Sequence, residues 1–271
     1  GLHVPFLIRF PGGRRAGTVV DDLVAFVDVP ATILSLAGVP VPKHMQGRAF
    51  WGEQKAAPRE YVFAARDRMD ELTDAVRAAR DGRYKYVRNY RPDLPHYQDL
   101  AYRRQMAAMK ELLRLREEGR LEGVEAQWFR PTKAEEELYD TQADPHEVTN
   151  LAAQPAYRPH LDRLRAALDA WLVEIGDRPG RSERELREEM WPGGTQPKTG
   201  APALRAQDGR VSIECATEGA AIAYQVDGRG LRPGHWRLYT EPFSAAKGAV
   251  VTAAANRVGW APSAEVRFVV P

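Results

Sequence analysis

Apolar residues recur with two periods along this chain, and the dominant period changes once. In the opening "HVPFLIRF", Val4, Phe6, Ile8 and Phe10 alternate with their neighbours, which predicts a strand ended by "PGG". "VDVPATILSLAG" predicts a helix with Asp28 as N-cap, Pro30 in the first turn and Gly38 at the close. "EYVFAAR" (60–66) predicts a strand. In "AVRAARDGRYKYVRNY" two β-prone runs flank Asp81-Gly82, which suits a hairpin with a two-residue turn. Over 98–118, Tyr102, Met106, Met109 and Leu113 fall three and four apart, predicting a helix that stops at Gly119. "ELYD" predicts a short strand. A second long helix is expected near 156–175, where Tyr157, Leu161, Leu164, Leu168, Trp171 and Ile175 keep helical spacing.

The pattern then shifts. "WPGGTQPKTGAPA" is rich in Pro, Gly and Thr and predicts a linker over 191–202. Beyond it, "RVSIECAT", "AAIAYQVDG", "HWRLYTEPF", "AVVTAAANRVG" and "SAEVRFVV" are short β-prone runs with turn residues between them. Such spacing predicts a small β-sandwich over 203–271. The expected organisation is a domain over 1–190, a linker and the sandwich. Within the first domain, an antiparallel sheet and its packed helix occupy about 58–176. The fold class is α/β, with an α+β layout in the part present.

Composition excludes more than it assigns. Of 271 residues, 44% are hydrophobic, enough for one large core or two domains. Lys plus Arg number 39 against 37 Asp plus Glu, so the net charge is +2 and no broad basic field is available for nucleic acid. No apolar run approaches the roughly 20 residues that span a bilayer. The single Cys215 excludes an internal disulfide and is expected as a buried strand residue. The chain opens on a strand with neither an initiator Met nor a signal peptide, which suggests a piece of something larger.

Several local patterns carry candidate chemistry. In "ELYDTQADPHEVTNLA", Asp144 and Pro145 favour a turn and Asn150 can cap a helical turn at Leu151. "ARDRMDE" (65–71) places Arg66, Asp67, Arg68 and Asp70 at the end of a strand. These charges either face a ligand or pair among themselves on the surface. His96 lies in a Pro-bounded loop, "PDLPHYQDLAY", where a histidine is ordinarily just exposed. Trp236, Tyr239 and Trp260 either form a sugar-stacking platform or fill the sandwich core.

Four of these pieces, in order, resemble the C-terminal part of a sulfatase. They are "GLHVPFLIRFPG", "LVAFVDVPATILSLAGVPVPKHMQGRAF" with its Asp-x-x-x-Thr helix, "RDGRYKYVRNY" and "ELYDTQADPHEVTNLA". The resemblance implies a small four-stranded antiparallel sheet with a packed helix, beside a mixed sheet that carries the active site. Residues 203–271 resemble the immunoglobulin-like C-terminal β-sandwich of chitobiases and hexosaminidases, through "CATEGAAIAYQVDG" and "LYTEPF".

A sulfatase hydrolyses a sulfate ester with a formylglycine, made from the Cys of Cys-x-Pro-x-Arg, and a calcium ion held by Asp and Asn oxygens. Neither is legible here. Cys215 precedes Ala-Thr-Glu-Gly, and Asp21-Asp22 mimics the family's metal-binding pair but is downstream of where that pair belongs. Calcium and formylglycine are therefore expected in the N-terminal part of the same domain, which becomes a partner of this chain, and the chain alone is expected to be inactive. The family's C-terminal subdomain borders the cleft and reads the sugar around the sulfate. That implies substrate-binding roles for Arg66, Asp67, Arg68, Asp70 and His96, sulfated carbohydrate as substrate, and a periplasmic or secreted parent. A phosphodiesterase or phosphonate monoester hydrolase of the same superfamily, or a non-catalytic glycan-binding protein, are the alternatives.

Overall fold

The computed structural model describes residues 3–227 and 235–271. Gly1, Leu2 and 228–234, including the last residue of the strand expected at "AAIAYQVDG", lie outside the described residues. The chain forms two compact units, Gly1–Gly180 and Arg181–Pro271.

In the first unit, helix α1 (Asp28–Leu36) precedes a four-stranded antiparallel sheet of β1 (Val62–Met69), β2 (Leu72–Arg80), β3 (Tyr84–Asn89) and β4 (Glu136–Asp140), in spatial order 1-2-3-4. The long β3–β4 connection holds α2 (Ala107–Glu117) and α3 (Gly123–Gln127), and α4 (Arg158–Ile175) follows β4. The apolar stripe of α4 lands on one sheet face. Leu161, Leu164, Leu168 and Leu172 pack against Ala79, Tyr84, Tyr86 and Leu138. Phe63 stacks on Trp171 with centroids 4.8 Å apart. Burying each such leucine contributes about 1.5–3 kcal/mol, so this layer anchors the unit. Gly176, at φ 68°, takes the left-handed conformation that ends α4.

Several expectations change in detail. "HVPFLIRF" forms no strand: no described residue pairs with 4–10, and Val4, Phe6, Leu7 and Ile8 are exposed. Alternation predicts a face, but a ladder needs a partner for the backbone. Asp28 is the first helical residue rather than the N-cap. Its carboxylate accepts from Ala25 N at 3.0 Å and Arg48 N at 2.8 Å. The hairpin turn centres on Gly82-Arg83, because Asp81 N donates to Tyr84 O at 3.0 Å. The helix expected over 98–118 begins only at Ala107, since Met106 is extended at ψ 131°. The acidic-basic stretch 65–71 does end a strand, as expected. It is the end of β1 and the tight Asp70-Glu71 turn into β2, with Asp70 at φ 48°.

The second unit opens with α5 (Glu183–Met190), started by a capping box between Ser182 and Glu185. Two antiparallel sheets follow. One has the order β11 (Val266–Val269), β10 (Val250–Asn256), β7 (Ala221–Asp227), β8 (Arg237–Leu238); the other is β5 (Ala203–Gln207), β6 (Arg210–Glu214), β9 (Phe243–Ser244). Val211 and Ile213 of one sheet and Ile222, Tyr224, Val251 and Ala253 of the other share one core. β5 has too few large apolar residues to be read from sequence; only Leu204 and Ala206 turn toward that core. The units divide ten residues before the compositional shift at 191. The 191–202 stretch is fastened rather than free: Trp191 Nε1 donates to Gly259 O at 2.8 Å and Thr199 N to Ala261 O at 2.9 Å. Cys215 is half-buried just past β6, with Sγ 3.3 Å from Gly200 O, not a buried strand residue. Tyr239 joins Tyr224 and Phe243 at the core, Arg257 lies over the Trp260 ring, and Trp236 stays exposed. The three rings are thus divided between packing and surface.

Candidate functional site

Side chains alternate across a strand, so a sheet with one face on a helix has a second face free for other work. Phe63 and Ala79 point to α4, which places Arg66, Val76, Asn89 and Glu137 on the far face. A bulge adjusts this register. Arg66 pairs with Val76 and Arg68 with Thr73, so Asp74 and Ala75 together oppose Asp67. The bulge aims Asp74 into the far face, and the β3–β4 connection covers it.

Two buried charged centres result. Asp74 and Lys133 are both fully buried, with Lys133 Nζ 2.8 and 2.7 Å from the two carboxylate oxygens. Arg66 Nη2 also donates to Asp74 Oδ2, and Ala75 N donates to Oδ1 at 2.8 Å. In the second centre, buried Glu137 accepts from Asn89 Nδ2 at 2.7 Å and from the Tyr139 hydroxyl at 2.8 Å, and pairs with His96 Nε2 at 3.1 Å. Burial pushes the Glu137 carboxyl up, but the hydrogen bonds from His96, Tyr139 and Asn89 outweigh it and hold it below the usual range. Burial and the Glu137 charge push the Tyr139 phenol far up. Lys133 and Glu137 are four residues apart, so one segment supplies a member of each centre.

Among the described residues of this face, Arg66 Nε and Arg80 Nε, both donors, and Gln98 Oε1, an acceptor, are buried without partners. A buried polar group left unpaired costs about 1–3 kcal/mol.

The sequence-predicted residues separate. Arg66 and His96 reach the far face. Asp67 turns to the helix side, where it and Asp177 clamp the buried Arg77: Nη1 lies 2.8 Å from Asp67 Oδ1, and Nε 2.6 Å from Asp177 Oδ2. Burial alone lowers the Arg77 guanidinium; Asp177 and Asp67 overcome it and raise it well above its ordinary value. Arg68 Nη1 donates to the carbonyl of Asp70 at 2.9 Å, closing the turn. Sequence reasoning missed Asp74, Asn89, Gln98, Lys133 and Glu137. Lys133 and Glu137 stand in the charged run "KAEEE", and only the register shows which charge points inward. A charge at an inward strand position, as at Asp74, was the available signal, but the bulge hides its phase.

Among the described residues no three His, Cys, Asp or Glu side chains are placed to hold a metal ion. Asp22 is exposed and faces Lys55 across 3.9 Å, an arrangement already neutralised by a cation.

Comparison with known proteins gives this geometry a family. Residues 1–112 match the family described as N-sulphoglucosamine sulphohydrolase, C-terminal. An ulvan-active sulfatase of Formosa agariphila is 42% identical over 270 residues, covering 99% of this chain and 45% of that protein. Human N-sulphoglucosamine sulphohydrolase is 26% identical over 196 residues, covering 65% of this chain and 38% of that protein. A solved 2-O GAG sulfatase superposes with a TM-score of 0.36 at 25% identity, over 55% of this chain and 25% of that one. The chain belongs to the sulfatases, of which it carries a C-terminal part. Its first 112 residues are the portion that matches the sulphohydrolase C-terminal domain. It spans less than half the length of these curated relatives.

Proposed function

We propose that this chain is the C-terminal part of an enzyme that hydrolyses sulfate esters on a sulfated carbohydrate, with a polysaccharide of the ulvan type as the first candidate. The observation that carries this reading is the 42% identity sustained over 270 residues to a sulfatase named for its action on ulvan. The chain supplies substrate contacts rather than the reacting groups. Its one cysteine lacks the Cys-x-Pro-x-Arg context, and its described acids do not gather as metal ligands. Formylglycine and calcium therefore do not fit the residues present, and belong to the other part of the parent. Of the candidate substrate residues, the geometry favours Arg66 and His96; Asp67, Arg68 and Asp70 are occupied in building the β1–β2 hairpin.

Helix α1 supports a partner from the same parent. It buries Asp28, Ala31, Thr32 and Ser35 and leaves Ile33 and Leu36 exposed, with Phe26 exposed just before it. A helix that faces its apolar side outward is covered by something else, and the remainder of the sulfatase domain is the occupant we assign. No helix among the described residues is long and apolar enough to cross a membrane. A periplasmic or secreted parent, with residues 203–271 as an accessory sandwich of the chitobiase type, completes the proposal.

The test is sulfate release from ulvan and from 4-nitrophenyl sulfate, by the protein of the whole reading frame and by this chain alone. Release by the former and none by the latter is expected. Turnover by the chain alone, or hydrolysis of phosphodiesters in place of sulfate esters by the whole protein, overturns the reading.

A further inference from the structure

Phe10, Arg14, Arg15 and Trp51 line a small cleft of about 120 Å³ in the first unit. Its aromatic wall is fixed from α1. Phe50 N donates to Thr32 Oγ1 at 3.1 Å and Gln54 N to Ser35 Oγ at 3.0 Å, so the segment carrying Trp51 is tied at both ends to the buried side of the helix. Between these ties Gly52 takes φ 90°, and a side chain there would collide with Ser35. The Trp51 ring is thereby held in place, and Phe10 packs on it with centroids 4.6 Å apart.

The turn over 11–18 brings both arginines onto these rings. Gly13 N donates to Phe10 O and Ala16 N to Gly13 O, each at 3.1 Å, and the Thr18 hydroxyl donates to Arg15 O at 2.7 Å. The Arg14 guanidinium lies 5.6 Å from the Phe10 centroid and that of Arg15 lies 5.3 Å from the Trp51 centroid. A guanidinium over a ring spends its face there and keeps its N–H donors in its own plane. Both arginines are exposed, and among the described residues no carboxylate meets either. Arg15 also sits at φ 59°, a left-handed conformation that a residue with a Cβ adopts only at a cost. Strain and adjacent like charges both oppose the fold, and a ligand that meets the charges accounts for both.

We propose that Phe10, Arg14, Arg15 and Trp51 form a binding site for one tetrahedral oxyanion, taken as the free ion or as the sulfate group of an ester. The ligand class follows from the donors. Each guanidinium offers a planar fork of paired N–H groups. Two forks call for acceptors in two directions, which the three or four oxygens of a sulfate supply. A carboxylate has two oxygens in one plane and satisfies one fork. The aromatic wall keeps water from one side of the site and so strengthens the attraction between ion and arginines. The site stands on its own geometry and does not depend on the enzymatic reading.

The experiment is a heteronuclear NMR titration of the 271-residue chain with sodium sulfate, methyl sulfate and sodium acetate at matched ionic strength, followed at the Trp51 indole N–H and the Arg14 and Arg15 Nε–H signals. Saturable shifts are expected with sulfate and methyl sulfate, and binding about tenfold weaker with acetate. Tighter binding of methyl sulfate than of sulfate assigns the site to an ester group; equal or weaker binding assigns it to the free ion. Arg15→Gly removes one guanidinium and releases the backbone strain, so it is expected to bind sulfate about tenfold more weakly with no fall in melting temperature. Arg14→Gln is expected to weaken binding likewise. Absent saturation, acetate binding as tight as sulfate, or unchanged affinity in Arg15→Gly overturns the site. Should either variant melt early, the wild-type titration decides alone. Because binding is read without turnover, a whole protein that releases no sulfate ester leaves this site standing, and a chain that binds no sulfate leaves the enzymatic reading standing.

Discussion

Asn150 serves Leu138 as a substitute strand. Its Oδ1 accepts the Leu138 N–H at 3.0 Å, and the next residue, Leu151, returns its own N–H to Leu138 O at 2.8 Å. The same amide donates to Glu136 O at 3.1 Å. β4 is the last strand of the sheet, and a buried edge needs partners for its backbone groups. Asp144 prepares the approach by accepting from Val148 N and Thr149 N, both at 2.8 Å.

Asn150→Ala removes the acceptor from a buried N–H, so a loss of about 1–2 kcal/mol is expected. Asn150→Asp keeps the acceptor and loses only the bond to Glu136 O, so it is expected to lose less. Chemical denaturation of the three proteins checks the order; an alanine variant as stable as wild type contradicts the strand-substitute role.

This pair also shows what was legible from sequence. The residue types at Asp144, Pro145 and Asn150 mark a turn followed by a cap, and the turn is there. The cap is only half right, because Asn150 accepts from Ala152 N at 2.9 Å but spends its other bonds on a strand twelve residues back. Local spacing reports local bonds. The four strands and the α4 stripe were readable because each repeats its own period. The far-face site was not, because it depends on a bulge at Asp74 and on a lysine 59 residues further along the chain. The candidate residues of 65–71 were found as a group by charge density, but alternation across β1 sends Arg66 and Asp67 to opposite faces.

Arg77 ties the end of α4 to the sheet through Asp177, 100 positions further along the chain. Removing one partner of a buried ion pair costs about 3–5 kcal/mol, and the exposure of Asp67 reduces this to about 2–3 kcal/mol for Arg77→Ala. Arg77→Met, which fills the same space without charge, is expected to recover part of the loss. Thermal melts of both variants test this, and equal melting of Arg77→Ala and wild type refutes it.

Stability in acid follows from carboxyls held low in the fold. Arg83 first, then the N–H groups of Ala143 and Gln142, bring Asp140 down to about 2 against some opposition from burial. Glu137 is also lowered from its ordinary 4.5. A carboxyl depressed on folding contributes stability above its unfolded value and loses it as pH falls through the folded one. The melting temperature is therefore expected to be level above about pH 5 and to fall between about pH 4.5 and 2. Asp140→Asn is expected to melt lower at pH 7 and to show a shallower acid decline. An unchanged decline would assign the acid sensitivity to other groups.

The outward face of α1 gives the sharpest separation of stability from association. Phe26 is 77% and Ile33 60% exposed, whereas the same helix buries Thr32, whose hydroxyl donates to Asp28 O at 2.8 Å and accepts from Phe50 N at 3.1 Å. Exposed apolar side chains contribute little to the fold of this chain and much to whatever covers them. The double variant Phe26→Ser with Ile33→Ser is expected to keep the melting temperature of the chain within a few degrees and to lower its binding of an apolar dye. Thr32→Val is expected to do the reverse, since it strands the Phe50 N–H and costs about 1–3 kcal/mol. In the protein of the whole reading frame the double serine variant is expected to destabilise strongly, because the proposed cover would bury the same residues there. If it is as harmless in the whole protein as in the chain, the remainder of the sulfatase domain does not cover α1.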